Sequence, residues 1–111
     1  MDNLSDKLKY IFELNGFRSI KETDKGIKFE NKKNKEIIYL IPNKRISIVL
    51  NPDTISEELK LKSEGLFHST VLREFPKRLN NGQTAITYGY SFKFDTEGKL
   101  NTFLNKLKEG Y

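Results

Sequence analysis

Cysteine and tryptophan are absent from this 111-residue chain, and histidine and methionine occur once each. Without cysteine there are no disulfides, no thiolate metal sites and no cysteine nucleophile. His68 is then the only side chain that titrates near neutrality unaided. No Asp-x-Asp pair accompanies it, so the scattered carboxylates predict neither a metal site nor a cofactor, and Glu57-Glu58 and Glu22/Asp24 read as helix-start and turn residues. Neither GxxxxGK[ST] nor GxGxxG occurs, and Gly65, Gly82 and Gly89 stand too far apart to cradle a phosphate together. Long apolar runs are missing too. No window approaches the about 20 residues that span a bilayer, and MDNLSDKLKY has neither the basic start nor the apolar stretch of a signal peptide. The expectation is a soluble, cytoplasmic protein without membrane association. No tract rich in Pro, Gly or Ser divides the sequence, so residues 1–111 are expected to form one domain.

What is present is enough for a core: 36% of residues are hydrophobic, among them eight Phe and five Tyr. Leu4, Leu8, Ile11 and Phe12 recur at the spacing of one helical stripe, with Asn3 or Ser5 available as cap and Gly16 at the left-handed position that ends a helix. From Phe17 the period becomes two. Phe17–Glu22 and Ile27–Glu30 flank a Thr23–Gly26 turn and predict a hairpin. Ile37–Ile41 is apolar on both faces, as in a central strand covered on each side or shielded by a helix, and Arg45–Leu50 follows after the Pro42–Lys44 turn. A short helix is expected to about Leu61, capped by Asp53 or Thr54. Ile86–Phe94 reads as a long strand whose one face is Ile86, Tyr88, Tyr90, Phe92 and Phe94. Gly89 lies on its other face, where the strand bends or another backbone approaches. Leu100, Phe103, Leu104 and Leu107 then mark a final helix. The connections are too short for crossover helices, which predicts an α+β fold: an antiparallel meander sheet of about five to six strands, with N- and C-terminal helices packed on one face.

The formal net charge is +5, and Lys supplies sixteen of the twenty cations. Together with ten Asn, that mixture is one that an AT-rich coding bias alone could produce, so the position of the charge is more informative than its total. Residues 18–45 carry nine cations against four carboxylates, and residues 66–94 four against one. The hairpin-end residues Lys25 and Lys44 are expected at one end of the meander and Lys32-Lys33 at the other.

Residues 62–84 show no clean period beyond a possible short strand over Leu66–Thr70, which makes them the expected recognition segment. Arg73, Lys77 and Arg78 suit phosphate contacts, Asn80, Asn81 and Gln83 suit base edges, His68 adjoins them, and Tyr88 or Tyr90 could offer stacking surfaces. Two functions compete for these residues. One is a small basic nucleic-acid-binding module. The other is a protein-interaction or adaptor module, without catalytic activity, using the same segment or a sheet edge. A third reading, an enzyme with His68 as acid or base and Thr70 in hydrogen-bonding reach, requires a second polar group around His68 in a pocket.

Overall fold

The computed structural model describes residues 3–79, 82 and 84–109. In order, the elements are α1 (Asn3–Leu14), β1 (Phe17–Thr23), β2 (Gly26–Asn31), β3 (Ile37–Ile41), β4 (Ile46–Leu50), α2 (Glu57–Lys62), β5 (Leu66–His68), β6 (Lys77–Leu79), β7 (Ala85–Phe94) and α3 (Glu97–Lys108). The architecture is the expected α+β, with seven strands, all paired antiparallel, in the order β1-β2-β3-β4-β7-β5. The meander holds only for the first four strands. β7 then lies against β4, and the 62–84 segment, in which one short strand was expected, contributes both β5 and β6.

The backbone hydrogen bonds of β7 place these two additions. Alternate residues of a strand direct their N–H and C=O groups to opposite edges. Thr87 accepts from Ser69 N–H and Ser91 donates to Gly65 on the β5 edge, whereas Tyr88 N–H donates to Pro76 on the β4 edge. Thus β6 prolongs the line of β4: β4 pairs with residues 90–94 of β7 and β6 with residues 85–87.

One side of the sheet is covered by helices. Leu8 and Phe12 of α1, Leu59 of α2, and Leu100, Phe103 and Leu104 of α3 pack on Ile27, Phe29, Ile38, Leu40, Ile46, Ile48, Leu50 and Phe92. The Phe12 and Phe29 rings stack at 3.9 Å, and Phe103 meets Phe92 and Phe94 at 5.0 and 5.2 Å. Asn15 is buried at the end of α1 because its side-chain amide donates to Ile11 O and to Asn101 Oδ1, joining α1 to α3. Gly16 ends α1 at φ +86, the left-handed position anticipated there.

Caps follow a simple rule: a short side-chain oxygen must reach an amide one turn on. α1 runs from Asn3, which places Ser5 inside its first turn. Ser56, not Asp53 or Thr54, caps α2 by accepting from Leu59 N–H, while Asn51 Oδ1 takes the Asp53 amide in the preceding turn. Thr96 caps α3 by accepting from Lys99 N–H at 3.2 Å. Thr96→Ala is expected to lower stability by about 1 kcal/mol, read from the urea midpoint. An unmoved midpoint would mean that packing alone fixes this helix start.

The other side of the sheet, called here the open side, carries no helix. Tyr39 and Val49 are nevertheless buried there, beneath Leu72 and Phe75, with Ile37, Ile41, Phe67 and Val71 around them. Residues 69–76 form this cover. Ser69 Oγ accepts the Val71 amide, Leu72 and Phe75 N–H close tight turns onto Ser69 and Leu72 carbonyls, and the Thr87 hydroxyl donates to Ser69 O. The double apolar face of β3 is thereby explained: each face has its own cover.

Candidate nucleic-acid interface

Directly paired residues of an antiparallel sheet share a face, so the register sorts the charges. The pairs Lys28↔Tyr39 and Lys21↔Lys28 put both lysines on the open side, and Ile37↔Glu30↔Arg18 does the same for Arg18. Ser47↔Lys93 and Lys77↔Thr87 add two more. Lys25, from the β1–β2 turn, and Arg73, from the cover, line one open-side cavity with Lys21 and Lys28. Seven cations therefore share this side. Against them stand Asp24, Glu30, Glu64 and Glu74. Arg18 is held by Glu30 at 2.8 Å and Lys28 by Glu74 at 2.9 Å. The Arg18 hydrogen bond keeps the Glu30 carboxyl below its ordinary pKa despite partial desolvation. Lys21, Lys25, Arg73, Lys77 and Lys93 have no carboxylate within ion-pair distance among the described residues.

On the helical side Lys9 pairs with Glu22, Lys60 with Glu57 and Lys62 with Glu58, while Lys7 and Arg78 have no carboxylate within ion-pair distance among the described residues. Hydrogen bonding to Glu22 and Glu57 raises the Lys9 and Lys60 pKa values, offset in part by desolvation.

The site residues expected from sequence are thus divided. Arg73 joins the hairpin cations Lys21 and Lys25, and Lys77 lies on the same side. Arg78, one residue on in β6, pairs with Ile86 and points the opposite way, its guanidinium 5.5 Å from the Tyr88 ring centre. Tyr88 and Tyr90 are half-buried on the helical side, where Tyr90 packs on the core beneath Lys60, 5.7 Å away. The expected stacking surfaces are therefore on the face opposite the unpaired cations. Asn80, Asn81 and Gln83 lie outside the described residues.

His68 stands opposite Tyr88 in β5, the rings 5.8 Å apart. Its Nε2 is buried without a hydrogen-bond partner among the described residues. Thr70, expected within reach of it, instead lines the open-side cavity with Arg73. Acid–base chemistry requires a second polar group, and none meets that nitrogen among the described residues. No group of three or more His, Asp or Glu comes together among the described residues, and no described helix is long and apolar enough to cross a membrane. Sequence reasoning missed Lys21 and Lys93 as members of the cationic face, since only the strand register brings them beside Arg73 and Lys77.

No protein-family model matches the chain, and no curated protein is significantly similar to it.

Proposed function

We propose that this chain is a cytoplasmic nucleic-acid-binding module, not an enzyme, which holds the phosphate backbone on the open side of its sheet. The observation that supports this is a cluster: five cations without carboxylate partners among the described residues share one side, around the cover of residues 69–76. Free Lys and Arg on one face are the electrostatic footprint of a polyphosphate partner. On that side Tyr39 is buried under the cover, Phe75 is a buried part of the cover and Phe67 is half-buried, so none of these three rings stands fully open to stack on a base. Contacts are consequently to phosphates and not to bases, which gives salt-sensitive binding with little sequence preference.

The adaptor reading has less behind it. β5 is three residues long, and β1, the other edge, carries a bulge between Ser19 and Lys21 and the charges of Arg18 and Lys21. Short, bulged or charged edges are poor templates for strand addition.

The longest dimension of the molecule is 40 Å, the span of about twelve base pairs at 3.4 Å each. Fluorescence anisotropy with labelled 12-mer DNA duplex and 12-mer RNA is expected to show log K falling linearly with log salt. A Lys77→Ala/Lys93→Ala double variant should flatten that slope by about 1.4–1.8, the share of two phosphates. Absence of binding at low salt, or an unchanged slope in the double variant, overturns the reading.

A further inference from the structure

The open side is not uniformly flat. At the β1–β2 end, between that hairpin and the cover, lies a cavity of about 390 Å³, within the roughly 300–1,000 Å³ range of small-ligand sites. Its charged lining is Lys21, Lys25, Lys28 and Arg73 against Asp24 and Glu74. Lys28 and Glu74 neutralise each other at 2.9 Å. Lys21, Lys25 and Arg73 then outnumber Asp24 by two charges.

The cavity also reaches the second apolar cluster, because Tyr39, only 2% exposed, is part of its lining. The Tyr39 hydroxyl accepts from Glu74 N–H at 3.2 Å, and no described residue accepts its proton. Burial raises the phenol's pKa, so that proton stays in place at neutral pH. Thr70, also in the lining, has a hydroxyl with no hydrogen-bond partner among the described residues, and Val71 adds an apolar wall. Two neutral donors, and three cations without carboxylate partners among the described residues, thus border one half-open space.

We infer that this cavity binds a phosphate monoester, whose phosphate lies among Lys21, Lys25 and Arg73 and accepts from Tyr39 or Thr70. The charge decides for a monoester over a backbone diester. A terminal phosphate carries about −1.5 to −2 at neutral pH, matching the excess of two, whereas each backbone phosphate carries a single charge. A terminal group also enters a cavity without needing a path out of it. The ligand is a free mononucleotide or the phosphorylated end of a strand, which present the same group. The inference stands on the cavity's own lining and requires no strand across the rest of the face.

The test is a two-dimensional amide NMR titration of the full chain with AMP, adenosine, and 12-mer RNA bearing either a 5′-phosphate or a 5′-hydroxyl. AMP is expected to shift the amides of Lys25 and of residues 70–74 saturably, and adenosine is not. Arg73→Ala should weaken AMP about tenfold or more, the scale of one lost charge-assisted hydrogen bond. Lys7→Ala, on the exposed face of α1 and outside the cavity, should leave AMP binding unchanged. Arg73 is exposed, and an unaltered urea midpoint for its variant separates lost binding from lost folding. Equal shifts from AMP and adenosine, or AMP binding indifferent to Arg73→Ala, overturn the site. A 5′-phosphorylated RNA that shifts the same amides and binds about tenfold tighter than AMP assigns the strand end. Equal affinity assigns the free mononucleotide. If both RNAs bind alike without shifting residues 70–74 and AMP does not bind, the cavity inference fails while the backbone interface stands. If neither RNA binds and AMP does, the reverse holds.

Discussion

Gly89→Ala is expected to cost about 2 kcal/mol, and Gly89→Val enough to leave little folded protein. A Cβ at this position in β7 would stand 2.5 Å from Val49 Cγ1, 2.6 Å from the Leu50 carbonyl oxygen and 3.1 Å from Phe75 Cδ2. The first two obstacles belong to β4, whose five residues are all buried. The Leu50 oxygen is backbone and cannot rotate away, so β4 and β7 must separate or the cover must lift. Overpacking of a well-filled core costs about 1–3 kcal/mol, and the gain of roughly 0.5–1 kcal/mol from removing a strand glycine offsets only part of it. Valine adds two methyl groups toward the same atoms. In a domain of this size a loss of about 2 kcal/mol corresponds to a Tm lower by about 8–10 °C. Urea unfolding of Gly89→Ala with a midpoint equal to wild type would show that the two strands re-space cheaply, and the packing argument would be wrong.

Leu72→Ala is the second large effect, about 3 kcal/mol within the 2–5 kcal/mol range for a leucine lost from a core. Leu72 is 0% exposed although it comes from a segment with almost no regular structure. It fills the space over Tyr39 and Val49 with Phe75, whose ring meets that of Tyr39 edge-on at 5.0 Å. The cover is therefore a second core. The control is Thr70→Ala, two residues away and exposed, which should fall within about 0.5 kcal/mol of wild type. Should the two variants unfold at the same urea concentration, residues 69–76 merely drape over the sheet.

The first half of the fold is legible in the sequence because its signals are local. The helical stripe from Leu4 to Phe12, the switch to period two at Phe17 and the turns at Thr23–Gly26 and Pro42–Lys44 each act within a few residues. The alternation from Ile86 to Phe94 is equally plain. Beyond the short strand expected over Leu66–Thr70, found as Leu66–His68, the segment to residue 79 is not legible because Leu72 and Phe75 are isolated apolar residues, buried by a sheet distant in sequence and not by a periodic face of their own. One signal did point to them: Ile37–Ile41 is apolar on both sides, and one side still lacked a cover. The candidate site failed to stay together for the same reason. Lys77 and Arg78 are adjacent, and once β6 is known they must face opposite sides. With only three residues and no alternation, KRL does not announce itself as a strand. Lys21 and Lys93 could be joined to Arg73 only through pairing across several strands.

The sharing of one β7 edge by β4 and β6 also sets the order in which the molecule can form. β1 to β4 are linked by short turns and can zip together from local contacts, which are the fast ones. The pairing of Leu50 with Tyr90 spans forty positions of chain. On a ribosome, at about 5–20 residues per second, the interval between the emergence of Leu50 and that of Phe94 is roughly 2–9 s. Throughout that interval the most buried strand of the sheet has an open edge, and β5 and β6 have no strand to pair with. Arrival of β7 closes that edge and admits both, so the step that completes the sheet also brings Lys77 and Lys93 onto the cationic face.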